Sequence, residues 1–352
     1  MLINRYLSRE ILAPMVTICS ILVIIFAGYS ITRYLPDAAN GMMSGKTVLA
    51  LVFLKILIAL EVLIPITLFF SVITVLGRMH AESEIIAMEA CGFGERKLLS
   101  AVLRLSLLIA VLVAGLSLYA RPWAYEKSYW LKADAKANFD LSRLTPGRFH
   151  EIGGNDLVVF LETLVDGRGH AKGVFIQQYT DTVRKITRAK EAWQESDPVT
   201  DAKSIVLREG YHYELARDGS NVRFFQFHGF QVPLVPKEIT SLRYRRKAAP
   251  TRSLAISTAP EDKAEFQWRI STGFSTVLLG LLAVPLCRSA PRQGKHSKTF
   301  LAVIVFAAYY IMTVVAKTWM EQEVVGSFPG IWWPHILLAA LLVIMLMRSN
   351  SG

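Results

Sequence analysis

The chain has 352 residues, 53% of them hydrophobic and 19% charged, with a mean hydropathy of +0.37 and a formal net charge of +11. That composition is too apolar for an ordinary soluble domain of this length and makes a membrane protein the first reading. The positive excess gathers in short loops between apolar runs, so membrane topology accounts for it and no nucleic-acid partner is called for.

Six runs are long enough to cross a hydrocarbon core of roughly 30 Å, at residues 11–31, 56–76, 98–120, 270–286, 300–316 and 331–347. They predict a three-plus-three arrangement around a polar insert. The first run is longer than a signal-peptide core, no small-x-small cleavage site follows it, and it reads as a retained span. Arg5 and Arg9 precede it and Arg33 follows it. Ser44-Gly45-Lys46-Thr47 superficially resembles a phosphate loop, but the required first glycine is replaced by Asn40 and no strand precedes it.

The second run opens after Lys55 and carries Glu61 and Pro65. A carboxylate at that depth would cost about 3 kcal/mol against lipid, so Glu61 is expected to face protein or a wet cavity. Pro65 removes the amide that would donate to the Glu61 carbonyl, which predicts a kink suited to gating or to packing.

Residues 77–94 read GRMHAESEIIAMEACGFG and interrupt two very apolar stretches. They predict a short helix over 81–91, with acids in its first turn and Gly92 to end it. At 100° per residue Glu82, Ile85, Ile86 and Glu89 share a face. Glu84 lies in the same short turn. A helix resting on an anionic leaflet would carry Lys or Arg, and none lies between His80 and Glu95. A protein groove with basic and apolar walls fits better, as a coupling helix; a solvated cap on spans two and three is the alternative.

From about residue 121 to 269 the long runs give way to short β-rich segments at 156–164, 174–180, 183–193, from 205 onward, and 222–235, with Asp166-Gly167 and Asp218-Gly219 as hairpin cues. In the last segment, alternation places Val222, Phe224, Phe230 and Val232 on one face and Phe225 and Phe227 on the other. Phe225 and Phe227 could line an apolar groove, or the strand could lie between two layers. The three cysteines, Cys19, Cys91 and Cys287, all lie outside the insert, which must therefore hold together by core burial. His150-Glu151 lacks a second zincin histidine, and no catalytic constellation emerges.

Between spans four and five, CRSAPRQGKHSK carries Arg288, Arg292, Lys295 and Lys298 without an acid, whereas Glu321 and Glu323 precede span six. By the positive-inside rule both termini and residues 77–97 face the cytoplasm, and the insert lies outside. The domains expected are residues 1–120 (spans one to three with the helix at 81–91), 121–265 (the β insert) and 266–352 (spans four to six).

ESEIIAMEACGFG, Arg121-Pro122-Trp123, Trp268-Arg269-Ile270 and Ala290-Pro291-Arg292-Gln293-Gly294 together resemble the LptF/LptG family of lipopolysaccharide export permeases. The ACG and APRQG motifs are more similar to the LptF branch. The resemblance spans essentially the whole chain. It implies an α-helical integral membrane protein with six transmembrane helices and an inserted periplasmic all-β, jellyroll-like domain. It implies a bacterial inner-membrane permease of an ABC transporter rather than an enzyme, with no cofactor of its own and ATP used by a separate subunit. The implied partners are an LptG-like permease, an LptB-like ATPase dimer, LptC- and LptA-like β-jellyroll proteins, and lipopolysaccharide. On this resemblance Glu82 and Glu84 fall in the segment that docks the ATPase. Arg33, Lys55 and Lys317, otherwise snorkelling anchors, become candidate contacts for lipid phosphates.

Extraction of such a lipid into water, at about 0.8 kcal/mol per methylene, needs tens of kcal/mol, hence a motor. Other classes stay open: another ABC permease with an external domain, a membrane-anchored periplasmic lipid-binding protein or enzyme, or a sensor.

Overall fold

In the computed structural model the described residues are 2–39, 43–137, 144–152, 157–166, 169–179, 183–196, 203–216, 222–233, 246–287 and 297–350. The first helix, α1 (Leu2–Ala39), joins the helical core near its start. There Leu7, Ile11 and Met15 enter the helical core beside Leu68, Phe69 and Val72, and the Ser71 hydroxyl donates to the Ile11 carbonyl. Farther along, Ile21, Ile24, Ile25 and Tyr29 are exposed, as expected of a surface that meets lipid or another subunit.

Helix α2 (Gly45–Ala81) starts at the SGKT stretch for a local reason: the Thr47 amide donates to Ser44 Oγ at 3.2 Å, an N-cap rather than a phosphate site. It runs on as one helix through Pro65. After a turn comes α3 (Glu84–Ala90), then α4 (Glu95–Gly115), a π-helical turn (Leu116–Ala120) and α5 (Arg121–Ala137). The expected third span therefore does not stop at Ala120. Its helix continues through RPWAYEKSYWLKADAKA, whose polar composition suits a segment rising out of the apolar layer.

After the strands come α6 (Thr251–Ile256), α7 (Pro260–Leu286), α8 (Ser297–Glu321) and α9 (Trp332–Asn350). Pro260 opens α7, where a missing amide costs nothing, and Glu261 and Asp262 complement the positive end of its dipole. This helix starts ten residues before the apolar run at 270 and is the most enclosed of the set. Gly280 lets it lie close against α4, since a Cβ there would come 2.1 Å from Ser106 Oγ. Among the described residues five helical segments are long and apolar enough to cross a membrane, and a sixth, Trp332–Arg348, is apolar but shorter. The architecture is a helical membrane protein with a β domain inserted between two sets of helices.

That insert is a six-stranded antiparallel meander in sequential order: β1 (Phe149–Ile152), β2 (Leu157–Asp166), β3 (His170–Tyr179), β4 (Val183–Ser196), β5 (Lys203–Ala216) and β6 (Val222–Pro233). Strand ends bracket both expected Asp-Gly turns, although Gly167 and Asp218-Gly219 lie outside the described residues. One face carries the core: Val159, Leu161, Val174, Ile176, Ala189, Ile205, Leu207 and Phe227. The expected alternation along β6 fails after Phe227. Phe230 and Val232 pack on the same core as Phe227, not with Val222 and Phe224. Pairing runs in one register from Gly210–Phe227 to Arg208–Gly229 and Leu207–Phe230 but omits Glu209, whose left-handed conformation (φ 47°) interrupts the pleat. The two faces exchange across that interruption, which a strict period of two cannot foresee.

The two compact units of the chain are residues 1–28, 53–126 and 242–352, and residues 29–52 and 127–241. Gly210 is the tightest position of the sheet. A Cβ there would meet Arg188 O at 2.1 Å and Phe227 Cζ at 2.6 Å. Gly210→Ala is expected to destabilise the β domain by about 1–3 kcal/mol, seen as earlier limited proteolysis of the insert, whereas Gly229→Ala is expected to be silent because nothing lies within 4 Å of the added atom.

Candidate functional site

The first candidate region is α3 and its flanks. Helix α2 overruns to Ala81, and Ser83 adopts a left-handed conformation (φ 61°), so the short helix begins at Glu84, not at residue 81. Glu82 therefore sits in the turn before the helix rather than in its first turn. Its amide still bonds the Arg78 carbonyl at 2.9 Å. The predicted end at Gly92 holds: φ is +78°, and the amides of Gly92 and Phe93 donate to Glu89 O and Met88 O, both at 2.9 Å.

The proposed isoleucine pair is split. Ile85 is buried in the helical core, while Ile86 is 63% exposed. Hydrophobic burial anchors the helix through Ile85 and leaves Ile86 presented with the exposed Glu82 and Glu89. Glu84 is partly engaged, since the Tyr6 hydroxyl donates to its Oε2 at 3.3 Å. Nearby, Arg78 pairs with Glu10 at 2.5 Å. Two polar contacts thus tie the start of α1 to this corner.

The second region is a buried ionic cluster that joins four helices. Glu61 of α2 accepts at a single oxygen from Ser117 Oγ (2.9 Å), Arg121 Nη1 (3.2 Å) and Trp268 Nε1 (3.2 Å). Ser117 belongs to the π turn and Arg121 follows it directly, so the wider turn helps aim both at one carboxylate. Glu265 of α7 takes Arg121 Nη2 (3.0 Å), Arg269 Nε (3.4 Å) and Lys317 Nζ (2.5 Å). Lys317 also lies 4.8 Å from the Trp268 ring centroid.

Arg269 is fully buried and uses all five of its N–H groups. Besides Glu265, it donates to the carbonyls of Ala249 (2.9 Å), Arg246 (3.2 Å) and Lys247 (3.2 Å) and to Thr251 Oγ1 (2.9 Å). Thr251 in turn donates to Leu118 O at 2.8 Å, again in the π turn. The segment 246–251 is thereby clamped to α7 and to the π turn. Beside the cluster lies a small open cleft, whose walls include Glu61, Pro65, Thr272, Tyr309 and His335.

Among the sequence-predicted residues, Glu61 is thus satisfied by protein, as its expected cost in lipid requires. Lys317, expected at a lipid phosphate, instead spends its ammonium on Glu265. Arg33 is exposed, and Lys55 is half-buried with its ammonium 5.5 Å from the Tyr125 ring, which Arg121 and Lys247 also approach, at 5.8 and 5.7 Å. Phe227 is part of the packed core of the sheet, and Phe225 is 41% exposed. The APRQG motif at 290–294 lies outside the described residues. Sequence reasoning missed Glu265 and gave Arg121, Trp268 and Arg269 no physical role. The available signal was an acid four residues before a membrane-entry arginine.

On the core face of the sheet, His212 lies buried between Phe225 (4.8 Å) and Phe230 (5.0 Å), with Nδ1 2.8 Å from Thr187 Oγ1. Burial lowers its pKa below the ordinary 6.5, against the opposing pull of Glu214, 3.7 Å away. Glu214 is itself held low, chiefly by its hydrogen bond with Lys185.

The profile described as "Lipopolysaccharide export system permease LptF/LptG" matches residues 5–348 of the chain. The lipopolysaccharide export system permease proteins LptF of Escherichia coli K12, Escherichia coli O157:H7 and Shigella flexneri are each 26% identical to it over 351 residues, covering 98% of this chain and 94% of theirs.

Glu265→Gln leaves Arg269 and Lys317 without their buried carboxylate and Arg121 with Glu61 alone, and a loss of about 3–5 kcal/mol is expected, measured as a lower melting temperature of the detergent-solubilised protein. For His212 the folded pKa is depressed, so the unfolded chain binds the proton more readily. Stability of the β domain is expected to be highest above pH 6.5 and to fall as pH drops from 6.5 towards the folded pKa. His212→Gln is expected to flatten that slope in pH-dependent unfolding of the domain.

Proposed function

The chain belongs to the LptF/LptG lipopolysaccharide export permease family, and from that membership we propose how it works: as one membrane subunit of an ATP-driven machine that lifts lipopolysaccharide out of the inner membrane. It is a multi-pass inner-membrane permease. Both termini and α3 face the cytoplasm, and the β domain faces the periplasm, as the distribution of Lys and Arg supports. An LptG-like subunit completes the membrane part, and an LptB-like ATPase dimer binds and hydrolyses ATP, so this chain needs no cofactor. LptC- and LptA-like β proteins take the lipid onward.

The observation that carries this reading is α3. An exposed acid and an exposed isoleucine, Glu89 and Ile86, stand on a seven-residue helix between two spans, and a second exposed acid, Glu82, stands in the turn before it, with no Lys or Arg from His80 to Glu95. Such a surface is repelled by an anionic leaflet and fits a basic, apolar groove on a soluble protein. Ile85 fixes the helix to the bundle, so a push delivered at Ile86, Glu82 and Glu89 moves the packed helices rather than a loop.

Arg33 and Lys55 are the proposed contacts for lipid phosphates, and Lys317 reaches one only by releasing Glu265. Acyl chains would meet Phe225 first, since Phe227 becomes available only if the core face opens. Glu61 and Pro65 line the cleft beside the ionic cluster and form the proposed gating element. Keeping the chains against apolar walls removes most of the tens of kcal/mol that water would impose, which leaves ATP to supply direction.

The test is co-purification of the ATPase with charge-reversed α3. Glu82→Lys and Glu89→Lys are each expected to weaken ATPase binding about tenfold or more, as like-charge contacts at an interface do, without lowering the yield of the permease. Undiminished binding by both variants would reject α3 as the coupling surface.

A further inference from the structure

Resting on the export reading, we propose that the face of the β sheet opposite its core is a binding surface for the anionic saccharide part of the cargo, so that sugar and acyl chains travel on different sides of one sheet. The register places Arg188, Tyr211 and Gln226 in one row across β4, β5 and β6, with Tyr213 and Phe224 paired in the next and Arg184 in the row beyond. Tyr211 and Phe224 stack at 5.8 Å and 15°, and Tyr213 lies 5.0 Å from the same ring. Phe224 is 55% exposed, and both arginines are exposed.

This is more open aromatic surface than a domain needs for its own packing, because the core cluster lies wholly on the other side. Two features identify the occupant. The first is charge: the outward positions 184, 186 and 188 of β4, 211, 213 and 215 of β5 and 222, 224 and 226 of β6 include two arginines and no acid. The second is the mixture of groups. Flat rings receive the C–H faces of pyranoses, while the guanidinium of Arg188, the amide of Gln226 and the tyrosine hydroxyls are spaced one strand apart, about 4.8 Å, which suits the hydroxyl, carboxylate and phosphate groups of neighbouring sugars. A lipid surface would meet cations at the rim of an aliphatic patch, and an oily protein partner would bury the charge of Arg188. The Arg184 side chain is already oriented along the face by donating to Gln177 Oε1 at 2.9 Å.

The experiment titrates the full-length permease, in nanodiscs with its partner subunits, with the deacylated, phosphorylated oligosaccharide of lipopolysaccharide. Binding is expected for the wild type, about tenfold weaker for Arg188→Gln and for the phosphatase-treated oligosaccharide, and unchanged for Arg223→Gln on the opposite face. No binding by the wild type, or full affinity in both Arg188→Gln and Phe224→Ala, overturns the proposal. A photo-reactive residue in place of Tyr213 is expected to capture saccharide, and capture of protein alone also overturns it. The same probe at Phe225 separates the two readings. Lipid captured at Phe225 with none at Tyr213 leaves export standing and removes the saccharide face; no lipid at either position removes export itself.

Discussion

A carboxylate with three cations around it, buried where the surroundings are mostly hydrocarbon, fixes the helical half of this protein. Glu265 can stay ionised there only because Arg121, Arg269 and Lys317 meet it from three directions, and those cations can stay buried only because Glu265 and Glu61 meet them. Desolvation of each ion alone would cost several kcal/mol, so no member can leave without stranding the others. A greasy interface tolerates sliding, since one leucine replaces another at little cost. A cluster of directed hydrogen bonds does not. It therefore sets the register of α2, the π turn, α7 and α8, and through Arg269 it also sets the path of the segment that precedes α6.

Any gating at Glu61 or release of Lys317 must therefore break this cluster, whereas other elements are held by fewer polar contacts. Helix α1 meets the helical core near its start, where Leu7 and Ile11 are buried and polar contacts reach Arg78 and Glu84. The α3 corner is held by buried Ile85, with Met88 and Phe93 packed against the same core, and by a glycine-terminated turn. Under the proposed coupling, it would be a short handle on the packed helices.

In the proposed function the β domain would face a different physical problem, that of an amphiphile with a large polar head. A sheet whose sides alternate by residue can present apolar side chains to one environment and arginines, tyrosines and glutamines to another without extra structure. Its core face is filled by its own side chains around Phe227, while Phe225 on the same face is partly exposed.

Much of this was legible in the sequence, because it depends on local period and composition. Apolar runs of membrane-spanning length, the helix break at Gly92, the β-rich insert and the need of Glu61 for a protein partner all follow from residues within a few positions of each other. What the linear order could not decide were contacts across distance: that Arg121 and Glu265 meet, that Lys317 is spent on Glu265, and that Ile85 turns inward while Ile86 turns out. The exchange of faces in β6 between Phe227 and Phe230 was equally hidden, because it accompanies the interruption of pairing at Glu209 on the neighbouring strand. The sequence by itself determined which segments must leave water and which must not, since transfer free energy is a sum over residues. Only the tertiary structure decided which charges neutralise one another, since Coulomb and hydrogen-bond energies depend on distances that the chain acquires when it folds.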